Sequence, residues 1–307
     1  AMSGAARDVW MYGDPEIHDL RRALATHHGV SPENIVVGEG IDGLLGYLTR
    51  LVVGPGDAVV TSDGAYPTFN FHVAGFGGAI HKVPYRGDHE DPDALIARAV
   101  EVGAKLIYLA NPDNPMGSHH PGAVLEAMVA ALPEGTLLIL DEAYLELAAD
   151  DPRVIRFRTF SKGYGMAGLR VGYGIANAGL IAAFNKVRNH FGVGRIAQAG
   201  ALAALADQPW LQAVRAQVVD ARQRFGAVAK ANGLVPLSSA TNFLTLDCGR
   251  DGDHARAILR GLTEHGVFVR MPFVAPHDRC IRISLGDTAS LAVFAEALPL
   301  AIAAAMR

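Results

Sequence analysis

Between residues 35 and 175 short β-rich runs alternate with helical stretches, and this alternation restricts the possible folds more than any other feature of the chain. The runs "NIVVG", "AVVTS", "AIHKVPY", "KLIYLA", "TLLILD", "VIRFRTF" and "RVGYGIA" are separated by segments such as "IDGLLGYLTRLVV" and "GAVLEAMVAAL". Such alternation predicts βαβ units around a mainly parallel central sheet. A strand like "TLLIL" is apolar at every position, as a sheet with helices on both faces requires. Past residue 178 the pattern turns helical to about residue 232. A smaller α+β unit follows, with strands in "NFLTLDC", "VFVR" and "CIRISLG", a helix over "DHARAILRGLTEHG" and a terminal helix. The expected division is a large α/β domain over 31–205, a small domain over 206–307, and an N-terminal segment, 1–30, that joins the small one.

Composition removes several function classes. The most apolar stretch, "LAVFAEALPLAIAAAM", contains Glu296 and Pro299 and reads as a C-terminal helix, so no membrane partner is expected. Net charge is −4 with Lys and Arg scattered, which leaves no footprint for nucleic acid. The two cysteines, Cys248 and Cys280, have no CxxC spacing and fit a reduced, cytoplasmic protein. The opening "AMSGAARDVW" lacks the basic and apolar regions of a signal peptide. Twelve histidines occur, but His27/His28 and His119/His120 are adjacent pairs and no HExxH spacing exists, so no metal is expected. Small-molecule chemistry is the class that remains.

In open α/β sheets ligands bind beyond the carboxyl ends of the strands, and four such ends carry polar residues. "VVGEGIDGLL" places Gly38, Gly40 and Gly43 between a strand and a helix, where free helix N–H groups favour an anion. Alone it is a glycine-rich turn, or a dinucleotide cradle with Asp57 or Asp63 as its acid, which leaves an NAD-type dehydrogenase open. "LANPDNPMG" offers Asn111, Asp113 and Asn114, residue types that turn chemistry also explains. "LLILDEAYLE" ends in Asp141, Glu142 and Tyr144, where a carboxylate serves either as a helix cap or as the partner of a ligand cation. "TFSKGYGMAGLR" follows a fourth strand with Thr159, Ser161, Lys162 and Arg170.

Pyridoxal phosphate satisfies all four ends at once. A buried lysine, Lys162, can form an imine with its aldehyde, because desolvation lowers the amine pKa. A carboxylate on the pyridine nitrogen keeps that nitrogen protonated and the ring an electron sink. An asparagine can bond the 3′ oxygen, and helix N–H groups, hydroxyls and an arginine can hold the phosphate. Tyr66, in "DGAYPTF", is placed to stack on the ring.

In this order the motifs resemble the fold type I pyridoxal-phosphate aminotransferases of class I/II, and among them the histidinol-phosphate aminotransferase-like branch. "DEAY" followed by "RTFSKGYGMAGLRVGY" carries most of the resemblance, which runs from "YGDPEIHDLRRAL" to "CIRISLG". It implies Lys162 as the Schiff-base lysine, Asp141 as the ring-nitrogen partner, and Asn114 and Tyr144 as hydrogen bonders to the 3′ oxygen. It further implies Ser161, Arg170 and Thr159 at the phosphate, beneath the Glu39–Gly40–Ile41 backbone. Arg282 corresponds to the arginine that clamps a substrate carboxylate or phosphate, and Arg270 to a second anion-binding arginine. Tyr12 corresponds to a tyrosine that reaches the neighbouring subunit's phosphate, implying a homodimer with shared active sites. Three features depart from the family pattern. No segment before Tyr12 matches the arm that closes over the substrate, Ile41 and Gly43 replace a small or hydroxyl residue and a glutamate, and "NPMG" replaces "NPTG".

The function expected is an aminotransferase that moves an amino group between an amino acid or amino-alcohol phosphate and a 2-oxo acid. A decarboxylase or lyase of the same fold shares these motifs and is the alternative.

Overall fold

The structure is a computed structural model and describes residues 1–142 and 151–306. Each of the seven β-rich runs forms a strand: β1 (Ile35–Gly38), β2 (Ala58–Ser62), β3 (Ala79–Val83), β4 (Leu106–Ala110), β5 (Leu137–Asp141), β6 (Val154–Thr159) and β7 (Gly172–Ile175). Among the described residues they make one sheet in the order β1-β7-β6-β5-β4-β2-β3. The pairs from β3 through β2, β4 and β5 to β6 are parallel, while β7 runs antiparallel to both β6 and β1. That reversal has a local cause, since the Phe160–Val171 link contains no helix long enough for a crossover.

Helices cover both faces. α1 (Met2–Ala5), α2 (His18–His28), α3 (Gly40–Val52), α4 (Thr68–Gly75), α5 (Pro92–Val102) and α6 (Gly122–Ala130) are followed by α7 (Ala178–Phe184), α8 (Arg195–Ala206) and the long α9 (Gln208–Ala231). Leu44, Leu45 and Leu48 of α3 pack with Val36, Tyr108 and Phe157 on one face, while Leu95 of α5 and Leu125 of α6 cover Ile107 and Leu138 on the other. Start signals are visible where the sequence supplies them: Asp91 accepts from the Ala94 N–H at 3.2 Å with Pro92 in the first turn of α5.

A second sheet has β9 (Phe243–Asp247) at its centre, flanked by β8 (Val235–Pro236) and β10 (Cys280–Ser284). α10 (Gly252–Glu264) and α11 (Thr288–Ala305) pack on it around Leu246, Ile258, Ile281, Phe294 and Leu298. α11 is apolar and long enough to cross a membrane by length and composition, but its Phe294–Ala301 face belongs to this core. The expected strand "VFVR" does not form; it makes a single bridge, Arg270 to Arg282. Pro272 has no N–H to extend it. Residues 1–30, expected with this smaller unit, pack instead on the larger one, where Leu20, Leu24 and Ala25 of α2 share a core with Ile35, Tyr173 and Ala201.

Candidate active site

The carboxyl ends of β4, β5 and β6 lie side by side, in the register Ala110↔Asp141↔Phe157. Beyond β6, the residue order "TFSKGYG" makes a tight turn: the Thr159 hydroxyl accepts from the Ser161 N–H at 2.9 Å, and the Gly165 N–H returns to the Lys162 carbonyl at 2.9 Å. Lys162 therefore projects from a fixed turn into the cleft. Its side chain is open to the cleft, yet protein surrounds it on most sides, and this desolvation holds the amine below the usual lysine value. The charge of Arg282 lowers it further, Asp141 opposes, and Arg270 and Arg170 add to the lowering. Four charged groups from both sheets thus converge on one amine.

Asp141, at the end of β5, is half-buried and its Oδ2 accepts from the Tyr108 hydroxyl at 2.8 Å. Its neighbour Glu142 points to the opposite face, as alternation dictates, and pairs there with Arg158 at 3.0 Å. The "NPDNP" turn divides its work. Asn111 is buried and bonds the His120 backbone, and Asp113 accepts from the Met116 N–H and the Tyr85 hydroxyl, both at 3.0 Å. With those two building the turn, Asn114 is held at the cleft, where its amide oxygen accepts from Arg282 Nη1.

Arg282 alternates with Ile281 and Ile283, which enter the core of the smaller unit, so its guanidinium faces out, 4.8 Å from the Phe243 ring centroid. Arg270 stands directly opposite it, with backbone N–H to carbonyl bonds of 3.0 and 2.6 Å in the two directions. Directly opposed residues project to the same side of a strand pair. The two arginines are therefore neighbours on the cleft side.

The anion cradle is crowded where a phosphate needs close backbone approach. Gly40 opens α3 with φ +81°, and a side-chain carbon there would lie 2.5 Å from Arg170 Nη2. One at Gly172 would lie 2.7 Å from the backbone of Gly40 and Ile41. Arg170 itself has φ +53°, a strained conformation for a non-glycine residue, and its Nη1 reaches the Ser161 hydroxyl at 3.5 Å. First-turn N–H groups, the Ser161 hydroxyl and a guanidinium form a donor set that suits a phosphate dianion. These residues fit pyridoxal phosphate.

The remaining expected residues stand as follows. Tyr66 is exposed on the β2–α4 loop at the same edge. Tyr12 is 81% exposed, its ring 4.9 Å from that of Phe191. Tyr144 lies outside the described residues. The Glu39 carboxylate takes an unexpected direction, accepting from the Tyr47 hydroxyl at 2.9 Å and filling the space a side chain at Gly192 would need. Sequence reasoning also missed Tyr108, although a tyrosine in an aliphatic central strand signals a buried partner for its hydroxyl. Two cavities, of about 360 Å³ beside β1 and about 710 Å³ between α9 and α11, lie away from this cleft.

A mainly parallel sheet with a lysine, a carboxylate and an anion cradle at its carboxyl edge defines a pyridoxal-phosphate enzyme of fold type I. The profile of the family "Aminotransferase class I and II" matches residues 2–298, and the chain belongs to that family. It is a pyridoxal-phosphate-dependent aminotransferase. It is 32% identical to the histidinol-phosphate aminotransferase of Moorella thermoacetica over 311 residues, 97% of this chain and 80% of that protein. With histidinol-phosphate aminotransferase 2 of Ralstonia nicotianae it shares 34% identity over 322 residues, 99% of this chain and 86% of that protein. The crystal structure of histidinol-phosphate aminotransferase from Sinorhizobium meliloti, in complex with pyridoxal-5′-phosphate, superposes with a TM-score of 0.96 at 54% identity. The match covers 98% of this chain and 86% of that one.

Proposed function

We propose that the amino donor is a phosphorylated amino alcohol of the histidinol-phosphate type and the acceptor a 2-oxo acid. The observation that carries this reading is the Arg270–Arg282 pair, two arginines whose backbones are directly opposed, so that both side chains leave the same side of the smaller sheet. Two arginines on one side suit a phosphate dianion better than a lone carboxylate, because each offers parallel N–H donors and a fixed charge. The names of the relatives at 32 to 54% identity support the same substrate class.

In this reading Lys162 holds the cofactor and Asp141 its ring nitrogen. Asn114 and Tyr144 bond the 3′ oxygen, Tyr66 stacks on the ring, and Ser161, Thr159, Arg170 and the Glu39–Ile41 backbone hold the phosphate. When bound, pyridoxal phosphate supplies an electron sink for the pair left when a proton leaves the donor's α-carbon. The chain's own part is to position and to move protons. Lys162 Nζ, its basicity lowered by desolvation and by Arg282, is neutral at lower pH than an ordinary lysine and can carry a proton between donor carbon and cofactor. Arg282, tethered to Asn114, releases or shares that contact when a substrate anion arrives.

The same reading makes the protein a cytoplasmic homodimer in which Tyr12 reaches the partner's phosphate site, supported by the outward exposure of Trp10 and Tyr12. It also divides the chain into a cofactor-binding domain over 31–205 and a small domain over 206–307. The test is the visible spectrum of the pyridoxal-phosphate-loaded protein as single donors are added. Histidinol phosphate converts the yellow band, and Lys162→Ala abolishes conversion. Arg270→Ala raises KM for histidinol phosphate about tenfold or more, as expected for a charge-assisted contact, and changes that for phenylalanine little. Equal effects on both donors contradict the proposed role of Arg270.

A further inference from the structure

We infer that Tyr108 sets the ionisation of Asp141: its buried hydroxyl, donating to Oδ2, keeps this carboxylate in the charged form that holds a protonated ring nitrogen. The inference rests on the reading of Asp141 given above and makes Tyr108 a positioning residue acting through it.

Tyr108 is fully buried in β4, between Ile107 and Leu109, in a strand that is otherwise aliphatic. Packing alone does not call for a tyrosine there. The ring stacks on Phe69 with centroids 4.9 Å apart and planes 16° from parallel, and a phenylalanine would make the same contact without a hydroxyl to satisfy. The hydroxyl reaches Asp141 Oδ2 at 2.8 Å. Strand register explains the reach: Tyr108 pairs with Ile139 and Ala110 with Asp141, so Tyr108 and Asp141 are diagonal neighbours on one face. The stack on Phe69 fixes the ring, and the register fixes the carboxylate.

The surroundings make this bond matter. Glu90 is 1% exposed, with Ser62 Oγ donating at 2.6 Å and the Ala110 N–H at 2.9 Å, and Asp113 is 2% exposed in the adjoining turn. Burial first, and then the charge of Asp113, push Glu90 well above the usual carboxylate range, with Asp141 adding a smaller push. Buried carboxylates grouped in this way favour protonation of one another, and a donated hydrogen bond favours the charged form of the acceptor. Tyr108 is itself pushed up by burial and by the Asp141 charge, so the phenol keeps its proton and is the donor. For Glu90 and Asp113 burial outweighs the hydrogen bonds they accept, whereas Asp141 is only half-buried at the cleft edge, where the bond from Tyr108 supports its charged form.

Tyr108→Phe and Phe69→Leu separate this role from packing. The readout is the pH midpoint at which the visible band of the pyridoxal-phosphate-loaded protein changes, measured beside kcat, KM and the melting temperature of the apoprotein. The ring nitrogen and the nitrogen bound to Lys162 share one conjugated system, so a weaker hold on the first proton strengthens the hold on the second. Tyr108→Phe therefore moves the midpoint up by about half a unit to one unit, the equivalent of one hydrogen bond, and lowers kcat roughly three- to tenfold with KM little changed. Phe69→Leu, which keeps the hydroxyl, lowers the apoprotein's melting temperature and moves the midpoint less than Tyr108→Phe does. A Tyr108→Phe midpoint equal to wild type, or equal shifts in both variants, overturns the inference alone. A wild-type protein with no visible band overturns the cofactor-site reading beneath it as well.

Discussion

Asp113 and Asn114 are consecutive residues of one turn with opposite surroundings: the aspartate is sealed behind Met116 and Tyr85, while the asparagine meets Arg282 in the cleft. Burial pushes the Asp113 carboxyl up to about 7, against the hydrogen bonds it accepts. The folded state therefore keeps a proton that the unfolded chain releases near pH 4, so this stability is full below that value and disappears as pH rises through about 7. Glu90, raised for the same reason, acts in the same direction. The apoprotein is expected to lose several degrees of melting temperature, roughly, between pH 4 and pH 7. Asp113→Asn should flatten that profile, and an unchanged slope in thermal melts would show that Asp113 does not titrate there. Residue types at the site were readable because, in the proposed reading, imine formation, ring protonation and phosphate binding each demand a particular group, and Lys162, Asp141, Asn114 and Arg170 follow strand ends. The directions of side chains were not readable. Glu39 turns from the cradle toward Tyr47 because Gly192 leaves room for its carboxylate, and that room is made by a segment 153 positions away.

Elements were legible where periodicity is strong. Each of the seven runs becomes a strand: β1, β4 and β7 are buried along their whole length, while β3, with His81 and Lys82, takes the edge where one side meets solvent. Strand direction needed more: β7 reverses because its connection to β6 is too short for a crossover, a matter of loop length and not of strand composition. "VFVR" has the composition of a strand and makes one bridge, since Pro272 interrupts the ladder immediately afterwards. Helix pairing also rests on features that do not stand out in a linear reading. Gly261 of α10 lies so close to α11 that a side-chain carbon there would be 2.9 Å from Ala301 Cα. Gly261→Val should force these helices apart and lower stability by about 2 kcal/mol, read from urea or guanidinium midpoints. A variant as stable as wild type would mean that α11 shifts freely on its neighbour.

At the scale of the whole molecule, Trp10, Tyr12, Phe71 and Phe191 are exposed on this chain, at 79%, 81%, 71% and 50%. Arg195 and Gln198 bond the backbone of Tyr12 and Asp14, holding this N-terminal segment against the start of α8. In the proposed homodimer the segment is buried by the partner, so Phe191→Asp should shift sedimentation toward the monomer and weaken cofactor retention together. A variant that stays dimeric would place the interface elsewhere. Strand alternation, the spacing of Asn114, Asp141, Lys162 and Arg170, and the apolar patterning of the helices are local in the chain. By itself, therefore, the sequence determined the α/β architecture, the cofactor class and the residues that gather at one sheet edge. The packing of the first thirty residues on the larger unit, the opposition of Arg270 and Arg282, the Arg282–Asn114 contact and the Tyr108–Asp141 bond were decided only by tertiary structure. Each joins groups from elements that meet through packing and register, and no periodicity within one segment records which side chains will face each other across that gap.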